Sequence, residues 1–85
     1  MWTVYVLRSL SSNILYVGMT QDIERRIAEH NAGKSKFTSG HIPWVVLYKE
    51  PCPDSTSARK REKYLKSAAG KRFIQKILQA GSLPD

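Results

Sequence analysis

Acidic residues are scarce in this chain: seven Asp and Glu stand against fourteen Lys and Arg, leaving a net charge of +7. They are also thinly spread, with none between Glu29 and Glu50 and only Glu62 between Asp54 and Asp85. That excess suits a polyanionic partner such as nucleic acid. Cysteine is limited to Cys52, which excludes an intramolecular disulfide and fits a reducing compartment. Set between Pro51 and Pro53 with no His or Cys nearby, it is expected to be a loop residue, neither nucleophile nor metal ligand. Long apolar runs are missing. Trp44 to Tyr48 has the length of a strand, far short of the ~20 residues of a membrane span, and the charged-then-apolar layout of a signal peptide is absent. The expectation is a cytoplasmic protein without a membrane partner. With 85 residues there is room for one hydrophobic core, so a single domain is expected over residues 1–81, with 82–85 as a tail.

What is present organises into ββαβαα. Trp2 to Leu7 is β-branched and aromatic and apolar at alternating positions of both faces, as in a strand covered on both sides and central in its sheet. Ser9 to Asn13 supplies turn chemistry, and Ile14 to Val17 forms the second strand of a hairpin. Gly18 is expected to close that strand and to admit a close approach by backbone or ligand. Ile14, Tyr16 and Gly18 share one face, which a suitable register also gives to Tyr5. Thr20 or Asp22 caps a helix running to about Asn31, with Gly33 near its C-terminal cap. An irregular basic connection follows to Pro43. Trp44 to Tyr48 is a third strand, ended by the Pro51–Pro53 turn. Asp54, Ser55 or Ser57 caps a helix running to about Ser67, and Lys71 to Ala80 forms a last amphipathic helix, with Phe73, Ile74, Ile77 and Leu78 inward, stopped by Gly81. The fold class is α+β: a small three-stranded antiparallel sheet flanked by three helices.

Helical geometry separates two adjacent arginines. At about 100° per residue, with Ile23 at zero, Ile27 falls near about +40°, His30 near about −20° and Arg26 near about −60°, whereas Arg25 falls near about 200°. Arg26 therefore edges the packing face beside His30, and Arg25 faces water. On the second helix Ala58, Leu65 and Ala69 define a buried stripe, and Glu62 lies on it. A carboxylate there must be paired, protonated or bound to a metal. Two alternatives stand: an ion pair with Arg61 or Lys66, or a ligand for Mg²⁺, an ion that often uses one or two protein carboxylates and fills its shell with water and phosphate.

Val4-Tyr5-Val6, then Tyr16-Val17-Gly18 after ten residues, followed by Thr20, Arg26 and His30, resembles the signature of the GIY-YIG nucleases. The Ala58-Arg59-Lys60-Arg61-Glu62 segment resembles the family helix that carries the acidic metal ligand. The likeness covers essentially the whole chain. It is nearest to the small stand-alone bacterial group related to the UvrC N-terminal nuclease domain, of which His30-Asn31-Ala32-Gly33 and Lys36-Phe37-Thr38 are also typical.

The resemblance implies a GIY-YIG-like fold and a metal-dependent endonuclease that hydrolyses DNA phosphodiester bonds, structure-directed and linked to repair or recombination. Its alternative is a nucleic-acid-binding module that has lost catalysis. Carried over residue by residue, Glu62 would bind one divalent cation, Mg²⁺ or Mn²⁺. Tyr5 or Tyr16 would activate water as base or relay, Arg26 would hold the scissile phosphate, and His30 would orient a tyrosine or water or shuttle a proton. Gly18, Thr20, Lys34, Lys36 and Thr38 would meet the phosphate backbone. Two departures accompany the likeness. Thr3 stands where the first motif has glycine, and the asparagine that follows the glutamate in larger members has no counterpart, with Ser67 as a candidate substitute. Larger members also carry separate DNA-binding domains, so a protein partner that supplies targeting is implied.

Overall fold

The computed structural model describes the backbone of residues 1–82 and the side chains of residues 1–79. Its element order is β1 (Trp2–Ser9), β2 (Leu15–Thr20), α1 (Ile23–Asn31), a 3₁₀ turn (Thr38–His41), β3 (Trp44–Cys52), α2 (Ser55–Lys66) and α3 (Ala68–Ser82). The three strands form one antiparallel sheet in the order β2-β1-β3. The doubly apolar β1 is thus the central strand, and the α+β architecture ββαβαα is as its sequence pattern implies.

Each face of β1 feeds a different core. Val4 and Val6 pack with Cys52, Ala58, Leu65 and Ile74 beneath α2 and α3. Tyr5 and Leu7 pack with Trp44 on the face covered by α1, where Ile14, Tyr16, Ile23, Ile27 and Ile42 surround them. Full burial of each large apolar side chain is worth about 1.5–3 kcal/mol, so the two half-cores clamp β1 from both sides.

Several boundaries differ from the sequence expectation. Gly18 lies inside β2, which starts at Leu15 and continues to Thr20, because Thr3 and Val4 of β1 extend the pairing to Thr20 and Met19. β3 continues through Pro51 to Cys52. As an edge strand it tolerates a residue without an N–H. Cys52 is accordingly buried in the core and is not a loop residue, and desolvation pushes its thiol above the ordinary range. A register shift opposite Val6 and Leu7 lets the adjacent residues Leu47 and Tyr48 both pack on the α2–α3 core.

Asp22 caps α1 by accepting from the Arg25 N–H at 3.1 Å, and Gly33, at φ +78°, turns the chain out of it. Asp54 caps α2, accepting from Ser57 N–H at 2.8 Å. α3 begins at Ala68, immediately after α2, because the Ser67 hydroxyl accepts from Gly70 N–H at 3.2 Å and so caps it. That bond occupies Ser67, which takes no part in the cluster around Tyr5. α3 runs on past Gly81 to Ser82, and the rest of the expected tail, residues 83–85, lies outside the described residues.

Candidate active site

The hairpin register sets Tyr5 opposite Gly18 and Leu7 opposite Tyr16, so both tyrosines stand on the α1 face. The missing side chain of Gly18 makes room for Tyr5 itself. A Cβ there would meet the Tyr5 hydroxyl at 2.5 Å and Cζ at 2.7 Å. One close approach at this glycine is thus made by the protein's own phenol.

From α1, His30 enters this layer fully buried. Its Nε2 lies 3.1 Å from the Tyr5 hydroxyl and its Nδ1 lies 2.7 Å from Thr38 Oγ1. The Thr38 hydroxyl donates to the Ser35 carbonyl at 3.4 Å. Its oxygen then accepts from Nδ1–H, and Nε2 is left to accept the Tyr5 O–H. The Trp44 indole N–H donates to the Thr38 carbonyl at 2.9 Å. Thr38 is thus fully buried and holds the imidazole, which corrects its expected place against phosphate.

The two arginines divide as helical phase requires: the Arg25 side chain is 76% exposed and Arg26 35%. Arg26 Nη1 donates to Glu29 Oε1 at 3.0 Å, and its positive charge acts on the Tyr5 hydroxyl. Burial, followed by the neighbouring Tyr16, pushes the Tyr5 hydroxyl up to about 12, against a smaller opposing pull from Arg26. Burial, reinforced by the Arg26 charge, pulls His30 below its ordinary value. Near neutral pH both groups are uncharged, and the proton sits on the tyrosine.

The depressed His30 value has a measurable consequence. The native state refuses a proton that the unfolded chain accepts below its ordinary value of 6.5, so stability is complete above that pH and falls as pH drops toward the lower native value. Urea unfolding followed downward from about pH 8 is expected to show this slope, and His30→Gln is expected to flatten it. A slope unchanged by the substitution would refute the assignment. Glu29 and Asp54, both lowered from ordinary values of 4.5 and 3.8, act only in a more acidic window.

Glu62 approaches from α2. Its side chain is 19% exposed and lies 3.5 Å from Lys66 Nζ, while Arg61 pairs instead with Glu50 at 3.1 Å. The Glu62 charge is the weakest of the influences on the Tyr5 hydroxyl, since α2 packs on the Val4 and Val6 face of β1 and Tyr5 on the other. Among the described residues no group of three or more His, Cys, Asp or Glu could hold an ion. A cation at Glu62 would therefore have at most two protein ligands of these kinds and complete its shell with water and phosphate, a donor set that suits a hard ion such as Mg²⁺. Lys66, the partner of Glu62, is 56% exposed.

Of the other residues named from sequence, Thr20 closes a local turn, its Oγ1 accepting from Asp22 N–H at 3.1 Å. Lys34 and Lys36 are exposed on the loop after α1. Two contributors went unassigned. Glu29, three residues beyond Arg26, holds the guanidinium and was legible from helical spacing. Asn31 accepts from Trp44 N–H at 2.6 Å and donates to its carbonyl at 3.1 Å, a pairing between distant segments that no local pattern announces.

Two tyrosines, a buried imidazole and an arginine on one face of a small α+β sheet define a domain of the nuclease type. The chain belongs to the GIY-YIG family: the GIY-YIG catalytic domain model matches residues 1–76. Similar proteins include a UPF0213 protein of Desulfotalea psychrophila, 36% identical over 94% of this chain and 76% of the relative. Another, from Natronomonas pharaonis, is 42% identical over 75% of each chain. Among solved structures, the solution NMR structure of a UPF0213 protein from Bacillus halodurans is similar at a TM-score of 0.55 and 30% identity, covering 91% of this chain and 85% of that one. Family membership implies a nuclease-like activity on a nucleic-acid substrate. No helix among the described residues is long and apolar enough to cross a membrane.

Proposed function

We propose that this protein is a divalent-cation-dependent endonuclease that hydrolyses DNA phosphodiester bonds, using Mg²⁺ or Mn²⁺. The observation that carries the reading is the hydrogen-bonded Tyr5–His30–Thr38 chain, with the Arg26 charge acting on its tyrosine end. Arg26 takes the non-bridging oxygens of the scissile phosphate and stabilises the charge that develops there. Tyr16, partly exposed, orients the attacking water. Tyr5 cannot act as a standing phenolate with its hydroxyl pushed up to about 12. It serves as a relay, accepting a proton at its oxygen while passing its own to neutral His30 Nε2. Glu62 holds the cation, which when bound supplies Lewis-acid stabilisation of the leaving oxygen. Lys34 and Lys36 contact flanking phosphates. Structure-directed cutting in repair or recombination, a targeting protein partner and a cytoplasmic location complete the proposal.

The test incubates nicked, flapped, branched and supercoiled DNA with Mg²⁺ or Mn²⁺, beside EDTA and a Glu62→Ala control. Cleavage is expected only with the cation and the intact carboxylate. Cleavage that persists unchanged in Glu62→Ala would sink the mechanism. The Glu62–Lys66 pair favours a second reading, a binding module whose carboxylate is already satisfied. Its mark would be salt-sensitive nucleic-acid binding through Lys34, Lys36 and α2 without metal-dependent turnover.

A further inference from the structure

The loop between α1 and β3 presents an aromatic ring that the proposed chemistry leaves unused. Phe37 is 56% exposed, yet its backbone is anchored on both sides. Thr38 is buried and bonded to His30 and Trp44. Ser39 donates from its N–H to the Ser35 carbonyl and from its hydroxyl to the Lys36 carbonyl, both at 2.9 Å. The Phe37 ring stacks on Tyr16, with centroids 6.0 Å apart and planes 29° apart, and lies 5.5 Å from the His41 ring. Lys34 and Lys36 beside it are exposed, in a stretch without a carboxylate from Glu29 to Glu50.

A ring held in water next to Tyr16, in a positive field, matches one kind of ligand. Paired bases keep their faces inside the duplex. An unpaired nucleotide offers a π-face to an aromatic ring and phosphates to lysines. We propose that Phe37 is the stacking platform for an unpaired nucleobase beside the scissile phosphate, which makes the substrate single-stranded at the cut. The position of the cut rests on the nuclease reading; the stacking does not.

The test titrates wild type, Phe37→Leu and Phe37→Trp into a single-stranded oligonucleotide carrying a fluorescent purine analogue, and into its duplex, all in EDTA. Leucine keeps the apolar bulk and removes the π-face, and circular dichroism confirms that each variant folds. Wild type is expected to quench the analogue in the single strand, Phe37→Leu to bind it about 5- to 50-fold more weakly and Phe37→Trp to match wild type. Duplex binding is expected to be equal for all three proteins. Single-strand affinity that Phe37→Leu leaves unchanged, as a plain apolar contact with a protein partner would allow, overturns the proposal. So does an equal loss on duplex. Because the readout needs no turnover, cleavage without stacking removes only this inference, and stacking without cleavage removes only the nuclease reading.

Discussion

Arg26→Ala is expected to slow DNA cleavage about a thousandfold, whereas Arg25→Ala is expected to stay within about twofold. The two side chains are adjacent in sequence and carry the same charge. Only Arg26 lies on the Tyr5 side of α1; Arg25 is directed into solvent. On the proposed mechanism, removing the Arg26 guanidinium takes away the cation that would meet the phosphate. It also leaves the Glu29 carboxylate, 3.0 Å from Arg26, with its 3.3 Å pair to Arg25 alone. Arg26→Lys is expected to recover only part of the loss, since an ammonium cannot grip two oxygens as a planar fork does. Folding should hardly change, because a partly exposed ion pair contributes about 0–1 kcal/mol. Single-turnover cleavage alongside urea unfolding checks both halves. Comparable losses from Arg25→Ala and Arg26→Ala would show that charge alone matters, and not position.

The largest expected effect on stability lies elsewhere, at Gly70. A Cβ added there would overlap the Tyr64 carbonyl and would sit 2.5 Å from Leu65 Cα and 2.7 Å from its carbonyl carbon. All of these are backbone atoms of α2, so no rotamer change relieves the overlap, and the closely joined α2–α3 pair must open. Gly70→Ala is expected to destabilise the fold by about 3 kcal/mol, which for a domain of this size lowers Tm by roughly 12–24 °C. Gly40→Ala is the control, since a Cβ there meets nothing within 4 Å. Thermal unfolding that finds the two variants alike would refute the close-packing argument.

The strands and helices were legible because their apolar residues recur at the periods that a sheet and a helix impose. β1 reads as central because Val4, Tyr5, Val6 and Leu7 leave no polar face. Helical phase on α1 distinguishes Arg26 from Arg25 without any structure. Element ends were less legible. The stop expected at Gly18 and the break expected at Pro51 were overridden by pairing with β1, a contact made by residues far away in sequence. Cys52 followed Pro51 into the strand and so into the core. For the same reason, nothing near Thr38 tells that its hydroxyl belongs to His30, since the partner is fixed by how the loop folds over α1.

By itself the sequence determined the α+β order, the central strand and the residue types on each face, all of which follow from local periodicity and side-chain chemistry. Only the tertiary structure decided that Gly18 is vacated for Tyr5, that Asn31 and Trp44 pin the loop, that Arg61 pairs with Glu50 and leaves Glu62 to Lys66, and that Phe37 stands against Tyr16. Those are distances between segments brought together by packing, and a linear pattern carries the chemistry of each partner but not the geometry of their meeting.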